Sequence, residues 1–337
     1  MQSQNFFDII STLAKLILDK RCMNNMTETI PKFPNFRPFT MNDIAWYYDY
    51  YLEQGLNPYV DIHPENLFVW LNINDDLMIS ELDGDIVIRY TNVLNNNQTN
   101  IIPLSNSLKN SALEKIFSYL KDNNLLLELH EVPSIICKEL DQNKWLIEDD
   151  RDSYEYILDT NQQSVMEGSN FSDRRRDMKR FERMYPNEVM EAKYYKHVDD
   201  NVKNAFLHHI NTMPFNIRIE SSQQNLVEPI AIRKNIEYSS IFHKKALVIR
   251  INKKIVSLSM VSYLDDNTAA INHLKVDYSI KNIFRYTIYQ LAKILKEDGI
   301  NEMNFEQDLG IEGLRTFKKQ LRPSRFLEKK IIRPRPQ

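Results

Sequence analysis

Apolar residues recur along this chain in two rhythms, one helical and one alternating. Phe6, Ile9, Ile10, Leu13, Leu16 and Ile17 fall at three- and four-residue steps, which predicts an amphipathic helix over 5–20. Its polar face mixes Asp8, Lys15, Asp19 and Lys20, so it lacks the lysine-rich face of a membrane-surface helix. Pro31, Pro34 and Pro38 then break both helix and ladder, and 22–38 reads as a linker. Thr40 with Asp43 forms a capping-box pattern that opens a helix through Trp46, Tyr47, Tyr50 and Tyr51. Strands are predicted over 67–73, 77–82 and 85–91, the last two joined by an Asp83-Gly84 hairpin signal. A helix over 106–122, a strand over 125–130 and a short helix over 133–141 complete this stretch.

A second stretch repeats the mixture. Tyr154, Tyr156 and Leu158 alternate as a strand, and helices are expected over 172–185, 198–212 and 228–240. Strands over 245–251, 254–263 and 268–276 form a meander. A helix over 281–297, a strand over 301–306 and a helix over 311–320 follow. The expectation is an α/β chain with mixed sheets. Its segments are 1–35 (helix and linker), 36–147 (first domain) and 148–333 (second domain with the basic C-terminus).

Composition narrows the classes. The chain has 337 residues, 42% hydrophobic and 26% charged, which excludes a disordered chain. No apolar run approaches the ~18–20 residues of a membrane span. With only 6 glycines, phosphate sites built on glycine-rich loops are disfavoured. Cys22 and Cys137 match no metal or redox spacing and fit free thiols in a reducing, cytoplasmic setting. The net charge of −3 hides an asymmetry: residues 1–150 carry 11 Lys and Arg against 22 Asp and Glu. Residues 314–337 carry 9 basic residues and one acid, Glu328. That basic end reads either as a solvated tail or as an attractor of a polyanion.

Several chemistries lack their parts. The chain has no G-x-S-x-G, no Walker A loop, no G-x-G-x-x-G and no C-x-x-C. Its seven histidines never stand three or four apart within a helix, so no metal site is expected. Two clusters remain. On the predicted 172–185 helix, Arg174, Arg175, Lys179 and Arg180 can grip phosphates, or can serve as a solvated face paired with Asp177 and Glu182. In the second cluster, residues 304–323, Asn304 and Glu306 share one strand face and Asp308 and Gly310 make a turn. Arg315, Lys318 and Lys319 then fall on one helical face. A carboxylate pair beside cations can orient a nucleophile and neutralise an anion. Alternatively, Asp308 caps the helix, Gly310 supplies a special dihedral and Arg315 pairs with Glu312.

Together these clusters resemble the DUF2156 group, the C-terminal catalytic domain of phosphatidylglycerol lysyltransferases. The matching pieces are Asp152 and Tyr154-Glu155-Tyr156, Gly168-x-x-Phe171-x-x-Arg174-Arg175, Lys179-Arg180-Phe181, Glu228-x-x-Ala231-Ile232 and Lys275. The strongest is Asn304-x-Glu306-x-Asp308-Leu309-Gly310, followed by Gly313-Leu314-Arg315-x-x-Lys318 and Pro323. The likeness covers roughly residues 36–333. Two departures stand out. Arg176 occupies the position where the pattern usually has asparagine, and the transmembrane module of the lipid-modifying members is absent.

The resemblance implies two tandem GNAT-like acyltransferase domains. It also implies transfer of an aminoacyl group from aminoacyl-tRNA to a lipid headgroup or another small nucleophile, without a metal or bound organic cofactor. Glu306 and Asp308 become catalytic candidates, and Arg174, Arg175, Lys179, Lys275, Arg315 and Lys318 candidates for holding tRNA or a lipid phosphate. The implied location is cytoplasmic, with peripheral membrane contact as a variant. A CoA-dependent N-acetyltransferase is the first alternative. The passage into the 281–297 helix, Tyr278 to Phe284, has no glycine to let a pyrophosphate approach, which places acetyl-CoA second. A catalytically silent binding protein is the other alternative.

Overall fold

The computed structural model describes residues 29–72, 74–92, 97–212 and 222–336. The expected helix over 5–20 and the first part of the 22–38 linker lie outside the described residues. The order of elements is β1 (Arg37–Pro38), α1 (Ile44–Glu53), β2 (Met78–Leu82), β3 (Asp85–Asn92), β4 (Gln98–Leu104), α2 (Asn110–Asp122), β5 (Leu129–Pro133) and β6 (Trp145–Asp149). Then come β7 (Glu155–Asp159), α3 (Thr160–Val165), α4 (Ser172–Met184), β8 (Met190–Tyr195), α5 (Asp200–Thr212), α6 (Ser222–Glu237) and β9 (Lys245–Ile251). Last are β10 (Lys254–Tyr263), β11 (Thr268–Val276), α7 (Ile283–Glu297), β12 (Glu302–Gln307), α8 (Glu312–Gln320), β13 (Arg325–Leu327) and β14 (Lys329–Pro334). The class is mixed α/β, as the pattern predicts.

Local signals act where expected. Asp43 accepts from the Thr40 backbone N–H at 2.8 Å and closes the capping box at the head of a short turn leading into α1. Asp83 (φ 55°) and Gly84 (φ 95°) carry the hairpin between β2 and β3. The meander β9–β10–β11 is antiparallel throughout.

Four expectations fail for identifiable reasons. The apolar run 67–73 is a π-helical turn, Leu67–Leu71, and not a strand. It is buried at Leu67, Phe68 and Val69, and a continuous apolar run does not distinguish a buried helix from a buried strand. Strands β1, β4, β6, β8 and β13 fall outside the predicted set, and the strand expected over 125–130 starts four residues later, at Leu129. The C-terminus is no solvated tail. Strand β14 sits between β5 and β6 in a three-stranded sheet, so the far end of the chain returns to the N-terminal half that runs from about residue 36 to 150, called the first segment below.

This return answers the charge asymmetry. Lys330 pairs with Asp149 at 2.5 Å and Arg333 with Glu128 at 2.6 Å and with Glu148. Lys329, almost wholly buried, lies against Asp61 and is 2.8 Å from Glu155. The basic end meets the acids of the first segment, and three of its cations are thereby neutralised within the chain.

The remaining sheets are β1-β2-β3-β4 and the seven-stranded β13-β7-β12-β11-β10-β9-β8. Met178 and Phe181 of α4, the apolar side of α7, and Met303 and Phe305 of β12 form the core on one face of the larger sheet. The first segment covers part of the opposite face. There, Asn304 donates to the Pro58 carbonyl at 3.1 Å, the Val60 N–H donates to Glu155 at 3.0 Å and Lys244 pairs with Glu65 at 2.7 Å. No helix among the described residues is long and apolar enough to cross a membrane.

Candidate active site

The site begins where two parallel strands part. β11 and β12 pair only at Thr268–Glu302, Ala269–Met303 and Ala270–Asn304, and beyond that register the ladder opens. On its other side, β12 shifts register against β7 between Asn304 and Gln307. Glu306 sits in this bulge with φ of 56°, and its N–H donates to the Asn304 side chain at 2.8 Å. A bulge overrides strict alternation, so the consecutive side chains Glu306 and Gln307 face the same side. Lys318 of α8 fastens the bulge by donating to the Phe305 carbonyl at 2.5 Å and to the Gln307 carbonyl at 2.6 Å.

The opening between the strands becomes a cavity of about 160 Å³ because the first segment closes over it. Glu306, Gln307, Lys318 and Asn272 supply one wall; Asp61, Trp70, Tyr90 and Glu131 supply the other. Three enclosed atoms on these walls have no hydrogen-bond partner among the described residues: Glu306 Oε1, Gln307 Oε1 and Trp70 Nε1. Buried polar atoms are nearly always satisfied, so two orphaned acceptors and one orphaned donor around one cavity point to a ligand carrying the complement.

The electrostatics agree. Burial raises the Glu306 carboxyl to about 8, helped by the nearby charges of Asp61 and Glu155 and opposed by Lys318. Burial lowers the Lys318 ammonium to about 8, against the pull of Glu306. Glu131 is raised by burial and by Asp61, and it accepts from Tyr90 Oη at 2.5 Å. Burial also disfavours the charged form of Lys329, but the surrounding Asp61, Glu155 and Glu131 outweigh it and hold Lys329 protonated. A wall this rich in carboxylates favours a cation.

The sequence-derived residues divide. Glu306 and Lys318 meet at the cavity. Lys275 lies beside it, 2.5 Å from the cavity-lining Glu228. Asp308 does not reach the cavity. Its fully buried carboxylate takes Arg315 at 2.8 and 3.0 Å, Arg151 at 3.2 Å, Tyr156 at 2.5 Å and the Gly310 N–H at 3.0 Å. Arg315 is thus held by Asp308 and by Asp152 at 2.5 Å, and not by Glu312 as the alternative reading has it. Arg174, Arg175 and Lys179 lie on α4, on the opposite face of the sheet. Arg175 ties the loop before its own helix, donating to the Met166 and Gly168 carbonyls. Asp61, Trp70, Glu131 and Gln307 escaped the sequence reading. Only Gln307, adjacent to Glu306, had a signal nearby; the others reach the cavity through packing between distant segments.

The sequence profile of the phosphatidylglycerol lysyltransferase C-terminal family matches residues 61–332, which spans both walls of this cavity. The chain belongs to that family. Solved structures agree with this membership at the level of the fold. The L-PGS structure from Bacillus licheniformis superposes with a TM-score of 0.58 at 12% identity, over 92% of this chain and 95% of its own. The C-terminal DUF2156 domain of a putative lysylphosphatidylglycerol synthetase from Agrobacterium fabrum gives 0.54 at 10% identity, over 87% and 93%. A conserved protein of unknown function from Bacteroides thetaiotaomicron VPI-5482 gives 0.76 at 20% identity, over 91% and 100%. No curated protein matches this lysyltransferase-family chain.

Proposed function

We propose that this member of the family is an aminoacyltransferase that moves an aminoacyl group from aminoacyl-tRNA to a hydroxyl of a phosphatidylglycerol-type headgroup or of another small acceptor. One observation carries the reading: the orphaned acceptors Glu306 Oε1 and Gln307 Oε1 and the orphaned donor Trp70 Nε1 surround one carboxylate-rich cavity. An aminoacyl ester presents the complement, an ammonium group that donates and a carbonyl that accepts. The division into two tandem acyltransferase-like units belongs to this proposal, with the cavity at their seam.

The chemistry asks little of the protein, because the ester is already activated. The acceptor oxygen attacks the aminoacyl carbonyl carbon and the bond from that carbon to the tRNA ribose oxygen breaks. The acceptor's proton passes to Glu306 and then to the departing ribose oxygen. A carboxylate raised towards 8 is a stronger base than an exposed glutamate. Trp70 Nε1–H is available to the developing oxyanion, and Lys318 holds the Glu306 bulge in shape. The scheme as written calls on no metal.

The test is direct. The full chain is incubated with tRNAs charged with labelled amino acids and with phosphatidylglycerol vesicles, and labelled lipid is separated by chromatography. Label in the lipid, lost in Glu306→Gln, supports the proposal. Transfer of an acetyl group from acetyl-CoA, with no aminoacyl transfer, would replace it with the acetyltransferase reading.

A further inference from the structure

A second recess lies on the other face of the seven-stranded sheet, away from the cavity. Gln163 and Met166 around α3, Arg174 and Met178 of α4, Arg285 of α7 and Leu321 line it. Arg174 is half-buried there, and among the described residues its guanidinium donates only to neutral oxygens, Gln163 Oε1 and the Leu321 carbonyl, both at 3.3 Å. Arg322 follows Leu321 with φ of 59°, is exposed, and has no ion pair among the described residues. The guanidinium groups of Arg174 and Arg322 each lie 5.3 Å from the centroid of the same ring, Phe171. Arg285 completes the group. Its carboxylate neighbour is Asp177 at 3.8 Å, and Gln320 lies at 3.4 Å.

We propose that Arg174, Arg285 and Arg322 form a binding site for a backbone phosphodiester of an RNA chain. This rests on the tRNA part of the function proposed above.

Three cations gathered at a recess with one carboxylate at its edge repel one another, and a half-buried guanidinium is costly without a counter-charge. Burial, with the charges of Arg285 and Arg322, lowers Arg174 to about 10, so the environment disfavours its charge. An anion among the three groups reverses this. Guanidinium forks backed by an aromatic ring are held flat for paired hydrogen bonds to phosphate oxygens.

The surroundings favour a polyanion over a membrane. Helix α4 exposes Arg176, Lys179, Arg180 and Arg183 along about 20 Å of its length; Asp173 pairs with Arg176 at 2.9 Å and Glu182 is the other exposed acid, so the exposed face keeps a net positive charge. It exposes one large apolar side chain, Met184, where a membrane-seeking helix presents a whole apolar face. A row of cations leading from a recessed guanidinium cluster matches a strand of successive phosphates.

The experiment measures binding of uncharged tRNA to the full chain by fluorescence anisotropy, across roughly 50–200 mM salt. The double variant Arg285→Gln/Arg322→Gln is expected to bind about 10-fold more weakly at the middle of that range, with its salt slope reduced by about 2. Arg322→Gln alone breaks no bond in the fold and should reduce the slope by about 1. Lys115→Gln, in a surface pair with Asp83 on the first segment, should bind as the parent does. Variants that bind tRNA like the parent overturn this site and leave the tRNA-dependent reaction standing. A parent chain that binds no tRNA overturns both. Arginine-dependent binding to phosphatidylglycerol vesicles without tRNA binding assigns the cluster to a membrane and overturns the proposal.

Discussion

Glu306 and Asp308 stand two residues apart at the end of one strand, yet they occupy opposite situations. Asp308 is saturated: two arginines, a tyrosine and a backbone N–H share its carboxylate, and against the opposing effect of burial Arg315, Tyr156 and the Gly310 N–H hold it below the usual range. Glu306 has an oxygen with no partner, and burial pushes its carboxyl up to about 8. The bulge makes the difference, turning Glu306 and Gln307 to the cavity before the chain enters the turn at Asp308. A motif that reads as a carboxylate pair is therefore one candidate for chemistry and one brace. The lesson concerns unsatisfied bonds: a group whose bonds are complete has no capacity left for substrate.

The largest expected effects test that division. Glu306→Gln should lower aminoacyl transfer by roughly 10²–10⁴-fold, the usual contribution of a general base. It should also raise the melting temperature at pH 8. With the folded pKa raised above the unfolded one, stability falls as pH climbs from about 4.5 to about 8, and glutamine removes that loss. Asp308→Asn should do the reverse. It leaves Arg151 and Arg315 facing a neutral group and costs about 2–4 kcal/mol, read from denaturant unfolding. If Asp308→Asn is the variant that loses transfer at full stability, the assignment of roles is inverted. The pH profile adds a second reading: transfer should rise as Glu306 loses its proton and level off above pH 8, and this limb should vanish in Glu306→Gln.

His63 sharpens the comparison, because it too is an orphan. Both of its ring nitrogens are enclosed without partners among the described residues, between the rings of Tyr48 and Tyr51, and it is absent from the cavity wall. Burial lowers its pKa to about 4, with the charge of Glu65 opposing and that of Lys244 adding. The unfolded chain takes up a proton near pH 6.5 and the folded chain does not. Stability is therefore full above pH 6.5 and is lost as pH falls towards 4, by up to about 3 kcal/mol. His63→Phe should flatten this slope in urea titrations at pH 4.5–7 and leave transfer unchanged. A loss of transfer would show that lacking a partner matters more than facing the cavity.

Much of the fold was legible where period and turn chemistry agree, as in the β9–β11 meander and the Asp83-Gly84 hairpin. Legibility failed where distant partners decide. β14 reads as a basic tail because its acids, Glu128, Glu148 and Asp149, lie some 180 residues or more earlier. The run at Leu67–Leu71 has no polar side to mark its period, because Leu67, Phe68 and Val69 are buried and Trp70 and Leu71 are half-buried. At the site, Glu306 and Lys318 were legible from one local block, whereas Asp61, Trp70 and Glu131 join only through packing across the seam.

Gly310 tests the turn more gently. With φ of 70° it adopts a conformation that side chains disfavour, and an added Cβ would lie 2.7 Å from Asp152 Oδ2. Asp152 would have to move off Arg315, so Gly310→Ala should cost about 1–2 kcal/mol by thermal unfolding. Transfer at a temperature where the variant is folded should be near normal, since the turn braces the site from behind.

The smallest effect belongs to the exposed charges of β14. Lys329 and Lys330 are neighbours with opposite surroundings, as Glu306 and Asp308 are. Lys329 is enclosed between Asp61 and Glu155, whereas Lys330 pairs with Asp149 in water. An exposed pair gains little Coulomb energy and is screened by salt. Lys330→Gln should therefore cost about 0.5 kcal/mol in thermal unfolding at low salt and nothing measurable near 1 M. It should leave the salt slope of tRNA binding as it was. A reduced slope would restore the polyanion role to the C-terminal strand and weaken the assignment of that role to the arginines around Phe171.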